Sequence, residues 1–134
     1  MTETPTKRNS ALRFLLVAIV LLSAWLVPGL GHALLRRWRR AIVFFTTVSA
    51  LAVAGLLLQG HVFSARANDF FEWLGYLADL GAGGYYLYAQ FYWQGAMDIS
   101  RASGDFGTRF FAAAGVLNFL CVLDVQDILR GRKS

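Results

Sequence analysis

The chain has 134 residues, of which 57% are apolar and only 16% charged, and its 13 Lys+Arg against 8 Asp+Glu give a net charge of +5. Mean hydropathy is +0.48, whereas soluble domains carry roughly 25% charged residues, so a disordered chain, a collagen-like chain and a coiled coil are excluded. A single cysteine, Cys121, rules out a disulfide scaffold and any zinc site built from several thiolates.

Residues 1–10 (MTETPTKRNS) are polar and read as a disordered N-terminus. Phe14 to Val27 carries no charge, is interrupted by Pro28-Gly29-Leu30-Gly31 and resumes as His32-Ala33-Leu34-Leu35. Lys7, Arg8 and Arg13 ahead of this stretch, with the small-residue site Gly31-His32-Ala33 after it, have the layout of a signal peptide. Four arginines directly behind that site oppose export, so the segment is read as retained. Ala41 to Leu58 is 18 uncharged residues, the threshold for a spanning helix. Trp73 to Trp93 is 21 residues long with one carboxylate, Asp79, near its middle, and Phe70-Phe71-Glu72-Trp73 reads as its interfacial start. Phe110 to Val125 is a fourth stretch, polar at Asn118 and Asp124. A hydrocarbon core of ~30 Å needs ~20 helical residues, so the second and third segments suffice alone and the others need their flanks. The expectation is an all-α membrane protein, a bundle of four hydrophobic helices over about 11–35, 41–58, 72–93 and 109–129. They form one membrane domain, 11–130, followed by a basic tail, 131–134.

Orientation is not fixed by charge. Four full spans with the N-terminus inside put seven Lys/Arg inside against six outside. In a second arrangement the first segment re-enters at Pro28-Gly29, and the count becomes nine against four. That arrangement requires the turn to be buried in protein, because bare backbone is not tolerated in lipid. Four spans is the preferred reading.

Pro28-Gly29-Leu30-Gly31-His32 is the most specific string. Proline ends the amide ladder and glycine permits sharp turning, so Pro28, Gly29 and Gly31 mark a corner, with His32 expected to cap backbone carbonyls there. Arg36, Arg37, Arg39 and Arg40 surround Trp38 and read as an anchor for anionic headgroups, indole at the boundary and guanidinia toward phosphate. On a helical wheel Glu72, Gly75, Asp79, Gly83, Tyr86 and Gln90 fall on one stripe of the third segment. Small residues permit close helix approach and polar ones hydrogen-bond across it, so the stripe reads as a packing surface with Asn118 as a partner for Asp79. The competing reading makes Asp79 a proton or cation site, since an intramembrane carboxylate usually faces the bundle interior or a water path. Asp124 and Asp127 read as a solvated terminus in which Arg130 pairs with Asp127, the competing reading being a D-x-x-D pair that holds a divalent cation with phosphate ligands.

The string PGLGHALLRRWRRAIVFF resembles the P-G-x-G-H turn of a group of small uncharacterised bacterial membrane proteins, and more distantly the two-transmembrane-helix domain family. Asn118, then Asp124-Val125-Gln126-Asp127-Ile128, then Gly131 is similar to the same group's C-terminal pattern. The resemblance implies an inner-membrane protein of unassigned role and supplies no catalytic residues.

Enzyme signatures are missing: there is no H-E-x-x-H, G-x-S-x-G, C-x-x-C or P-loop. No cofactor is expected, and nucleic-acid binding is disfavoured because no folded aqueous domain would present the basic patch. The expected function is a structural or accessory subunit that packs against partner helices or itself, without catalysis. The alternative is a small transporter or channel-like homo-oligomer with Asp79 lining a proton or cation path.

Overall fold

The computed structural model describes residues 5–93 and 102–133, with side chains described from residue 8. Among the described residues the chain is helical apart from its turns and one longer connection: α1 (Pro5–Leu26), α2 (Leu30–Leu34), α3 (Trp38–Leu57), α4 (Phe70–Gly81), α5 (Gly84–Tyr92) and α6 (Ala102–Leu129). Arg8–Leu26, Trp38–Leu57 and Ala102–Leu129 are long and apolar enough to cross a membrane. At 1.5 Å per residue the 20 residues of α3 match a hydrocarbon core of ~30 Å. The molecule is therefore read as a multi-pass membrane protein with three long helices.

Helix α1 begins at Pro5, within the polar stretch expected to be disordered, and proline suits a first helical turn because its missing N–H would have had no partner. The stretch between the expected third and fourth segments divides: 94–101 lies outside the described residues, and from 102 onward it is already the start of α6.

The long pair α3 and α6 forms the spine. Gly55 of α3 meets Gly107 and Phe111 of α6, while Arg40 near the start of α3 reaches Asp124 near the end of α6, so the two run antiparallel. The core lies between them and the hairpin: Val48, Ala52 and Leu56 of α3, Val62 of the connection, Ala82, Tyr86 and Ala89 of the third segment, and Phe111 and Ala114 of α6.

The third segment departs from expectation. Instead of one helix over 72–93, α4 stops at Gly81 and α5 starts at Gly84, with Gly83 at φ 60° and ψ −116°, a conformation open essentially only to glycine. The two halves fold back on each other. Glu72 near the start of α4 and Trp93 after α5 both lie beside His61, close to the α3–α4 connection. The tip at 81–84 packs instead against Trp25, Leu26 and Gly115, near the middle of α6. A side chain at Gly81 would strike the Gly115 carbonyl, and one at Gly115 the Ala78 carbonyl, so these glycines set how closely the hairpin and α6 approach. Two apolar helices of 12 and nine residues replace the expected span.

Helix ends are closed by a repeated device. After α2, α3 and α6 the next-but-one residue takes the left-handed conformation: Arg36 (φ 59°), Gln59 (φ 57°) and Gly131 (φ 71°). In each case the following amide bonds back to the third-last carbonyl: Arg37 to His32, Gly60 to Gly55, and Arg132 to Asp127. This is the Schellman arrangement, and two of the three copies place a non-glycine residue where glycine costs least. At its N-terminal end α4 is started by Asp69, whose carboxylate accepts from the Phe70 amide, while Glu72 accepts from the N–H of Asn68, one residue before the cap.

Candidate functional site

Breaking a helix inside an apolar bundle strands carbonyls that its next turn would have bonded. Two side chains, Asn118 and Trp25, answer that need at the hairpin tip, and a third, Tyr85, adds a side-chain bond to α3. Asn118, fully buried on α6, donates through Nδ2 to the Gly81 carbonyl (2.8 Å) at the end of α4 and to the Trp25 carbonyl (2.9 Å) at the end of α1. Trp25 Nε1 donates to the Leu80 carbonyl at 3.0 Å. Tyr85 on α5 donates its hydroxyl hydrogen bond to Ser49 Oγ of α3 at 2.6 Å. One asparagine thus ties the C-termini of two helices to the middle of a third.

A second polar cluster holds the 58–69 connection against the hairpin. Asp79, fully buried, accepts from the Phe63 amide through Oδ2 at 2.8 Å, and Gln90 Nε2 donates to the Phe63 carbonyl at 3.2 Å. Both backbone polar groups of Phe63 are satisfied, the N–H by a side chain from α4 and the C=O by one from α5. Nearby, Thr108 Oγ1 accepts from the His61 amide at 2.8 Å and donates to the Gly104 carbonyl at 2.8 Å. The Phe63 ring covers Gly75, and Tyr86 lies buried edge-to-face against Tyr76 with ring centroids 6.1 Å apart. Of the stripe residues Asp79, Gly83 and Tyr86 are buried and Gly75 and Gln90 partly so, but Gly75 and Asp79 lie on α4, Tyr86 and Gln90 on α5, and Gly83 in the break between them. Asp79 does not bond to Asn118; each serves a different stretch of backbone. Asp79 Oδ1 and Asn118 Oδ1 are buried without a hydrogen-bond partner.

The third cluster lies at the arginine-rich end. Gly29 (φ 79°) starts α2, and its tight approach to the Ala41 carbonyl admits no side chain. Pro28, Gly29, Gly31 and His32 are all buried in the corner so formed. His32 does not cap carbonyls. Its Nε2 lies 2.9 Å from Asp124 Oδ2, its Nδ1 lies 3.5 Å from Cys121 Sγ, and its ring stacks on Phe44 at 5.1 Å. A carboxylate can only accept, so Nε2 carries a proton and donates to Asp124. Asp124 also accepts from Arg40 Nη1 at 3.2 Å and from Lys133 Nζ at 2.8 Å, so one carboxylate joins α2, α3, α6 and the C-terminal tail. Asp127 pairs with Arg132 at 3.9 Å rather than with Arg130. Arg36, Arg39 and Arg40 are exposed, Arg37 is half-buried at the start of α3, and Trp38 is exposed among them.

These clusters all lie within residues 25–133, and a family model matches residues 19–134. The chain belongs to DUF6677, a family of unknown function. Comparison with curated proteins and with solved structures returned no match. The family match opens within α1, so the corner, the hairpin and α6 fall inside it, whereas the first half of α1 precedes it.

Sequence reasoning missed Trp25, Phe63, Thr108 and the hub role of Asp124. The Gly81-Ala82-Gly83-Gly84 run was the available signal for the break, since clustered glycines interrupt helices. Nothing local in the sequence pairs His32 with Asp124, 92 residues away. Among the described residues no group of three or more His, Cys, Asp or Glu could hold a metal ion.

Proposed function

We propose that this protein is a non-catalytic structural or accessory subunit of a bacterial inner membrane, packing against partner helices or a second copy. In this reading α1, α3 and α6 cross the bilayer, while α4 and α5 enter and leave from the same side. The four hydrophobic segments are retained, but the re-entrant one is the third rather than the first. Broken helices are tolerated at membrane depth where neighbouring groups re-satisfy the freed backbone.

The observation that carries this reading is the use made of the buried polar side chains. Asp79, Gln90 and Asn118 each bond backbone groups of the same chain at a break or a connection. Such bonds hold a fold together. The apolar exterior, including Phe14 at 77% exposure and Leu22 at 63%, is what the molecule offers to lipid or to partner helices. The unpartnered Asp79 Oδ1 favours the second reading, a proton or cation path, because an unsatisfied intramembrane carboxylate oxygen invites a proton or ion.

Reconstitution separates the two. Purified protein in proteoliposomes loaded with a pH-sensitive dye is expected to leak protons no faster than empty vesicles under an imposed potential. Co-purification in mild detergent is expected to yield a stoichiometric membrane partner or a defined homo-oligomer. Proton flux that is abolished by Asp79→Asn would replace the subunit reading with the transport reading.

A further inference from the structure

At the arginine-rich end a groove of about 610 Å³ opens between α3 and α6. Its floor is Phe44, Leu120 and Leu123, and its rim carries Arg40, Asp124, Asp127 and Lys133. Leu120 and Leu123 are 53% and 42% exposed, so this floor faces outward rather than into the core. At the rim a single carboxylate holds two cations, with Arg40 on Asp124 Oδ2 and Lys133 on Asp124 Oδ1. Asp124 is 16% exposed, whereas Arg40 and Lys133 are 43% and 51% exposed, so the acid is tucked beneath and the cations stand above it. Asp127 faces the opposite charge of Arg132. The Arg40, Lys133 and Asp124 group therefore carries one net positive charge at the mouth of an apolar groove.

We propose that this groove binds one anionic phospholipid, its phosphodiester between Arg40 and Lys133 and one acyl chain along Phe44, Leu120 and Leu123. Asp124 is then a positioning residue: it sets the separation of the two cations and fixes them by hydrogen bonds before the lipid arrives. Pre-organised cations lose less side-chain freedom on meeting an anion than free surface chains do. The neighbouring arginines 36, 37 and 39 and Trp38 place this end at the headgroup level in the membrane reading, on which the proposal rests. A general electrostatic attraction to the bilayer needs no groove. A bound lipid does, because its retention through detergent depends on acyl contacts that inorganic phosphate lacks.

The test is native mass spectrometry of the full chain, purified in mild detergent and supplied with equal mole fractions of phosphatidylglycerol and phosphatidylcholine. One phosphatidylglycerol per chain is expected to survive activation, with phosphatidylcholine retained at least tenfold less. The double change Arg40→Gln with Lys133→Gln is expected to weaken retention roughly thirtyfold, from two headgroup contacts near the surface. Leu120→Trp fills the groove without touching the charged rim and is expected to lower retention as well, which keeps the test valid if the double variant is unstable. Equal retention of the two lipids, or no effect of either variant, would overturn the proposal. Inorganic phosphate displacing the lipid at millimolar concentration would make the ligand a free phosphate and overturn it too. Extraction of the protein from vesicles by alkaline carbonate would instead remove the membrane reading beneath it, an outcome distinct from integration without lipid selectivity.

Discussion

Replacing Asn118 by valine removes the two hydrogen bonds that its Nδ2 donates at the hairpin tip while keeping a buried side chain of similar size. Two carbonyls, Gly81 O and Trp25 O, then lose the bonds they make at 2.8 and 2.9 Å. A buried polar group left without a partner costs about 1–3 kcal/mol, so two cost about 2–6 kcal/mol. The change also removes Asn118 Oδ1, itself buried and unpartnered, which returns about 1 kcal/mol or more. Hydrogen bonds between membrane helices average only ~0.6 kcal/mol in measured cycles, which sets a floor near 1 kcal/mol for the pair. The expected loss is therefore about 1–5 kcal/mol, a large share of the stability of a domain this size. Equilibrium unfolding in mixed detergent micelles, followed by tryptophan fluorescence, reads it directly because Trp25 is part of the same tip. A loss under about 0.5 kcal/mol would refute the claim that Asn118 caps the two helices. A gain in stability on the valine change would refute it outright.

The same assay checks three further expectations. Arg36→Gly removes a left-handed non-glycine residue from a Schellman end and is expected to stabilise by about 1 kcal/mol; no gain would mean that the Arg36 side chain makes up the difference. Gly115→Ala drives a methyl group into the Ala78 carbonyl and should cost about 1–3 kcal/mol or more, against about 1 kcal/mol for Gly131→Ala, whose new methyl meets nothing within 4 Å. Equal costs at these two glycines would contradict the close packing of the hairpin on α6. His32→Phe keeps the aromatic stack on Phe44 but removes one of three donors to Asp124, and should cost about 1–2 kcal/mol, less than Asn118→Val because Arg40 and Lys133 remain.

The sequence made the membrane class plain and the internal geometry only partly so. The charge-free run at 41–58 identifies a spanning-length helix by itself, and the run at 14–27 does so with its flanks, because length and polarity alone decide that question. The segment 73–93 passes the same length test, and composition cannot tell a continuous span from two short helices folded back. The run Gly81-Ala82-Gly83-Gly84 held the answer, but glycine is common enough in membrane helices to read as a packing seam. The inward stripe of Gly75, Asp79, Tyr86 and Gln90 survives the break because both halves of the hairpin turn toward the same peptide, that of Phe63. Pairings such as His32 with Asp124 and Asn118 with Trp25 span more than 90 residues, and no local pattern encodes them. Asp124 looked solvated in sequence because a basic tail follows it; in the fold Lys133 of that tail reaches it, but its other two partners, Arg40 and His32, come from 84 and 92 residues away.

The re-entrant hairpin is the central claim, and substituted-cysteine labelling tests it most directly. In a Cys121→Ser background, single cysteines at Asp69 and Trp93 bracket the hairpin, and one at Trp38 marks the arginine-rich end. A membrane-impermeant maleimide applied to one face of sealed vesicles is expected to label positions 69 and 93 from the same side and position 38 from the other. Labelling of 69 and 93 from opposite sides would make residues 72–93 a full span and contradict the account.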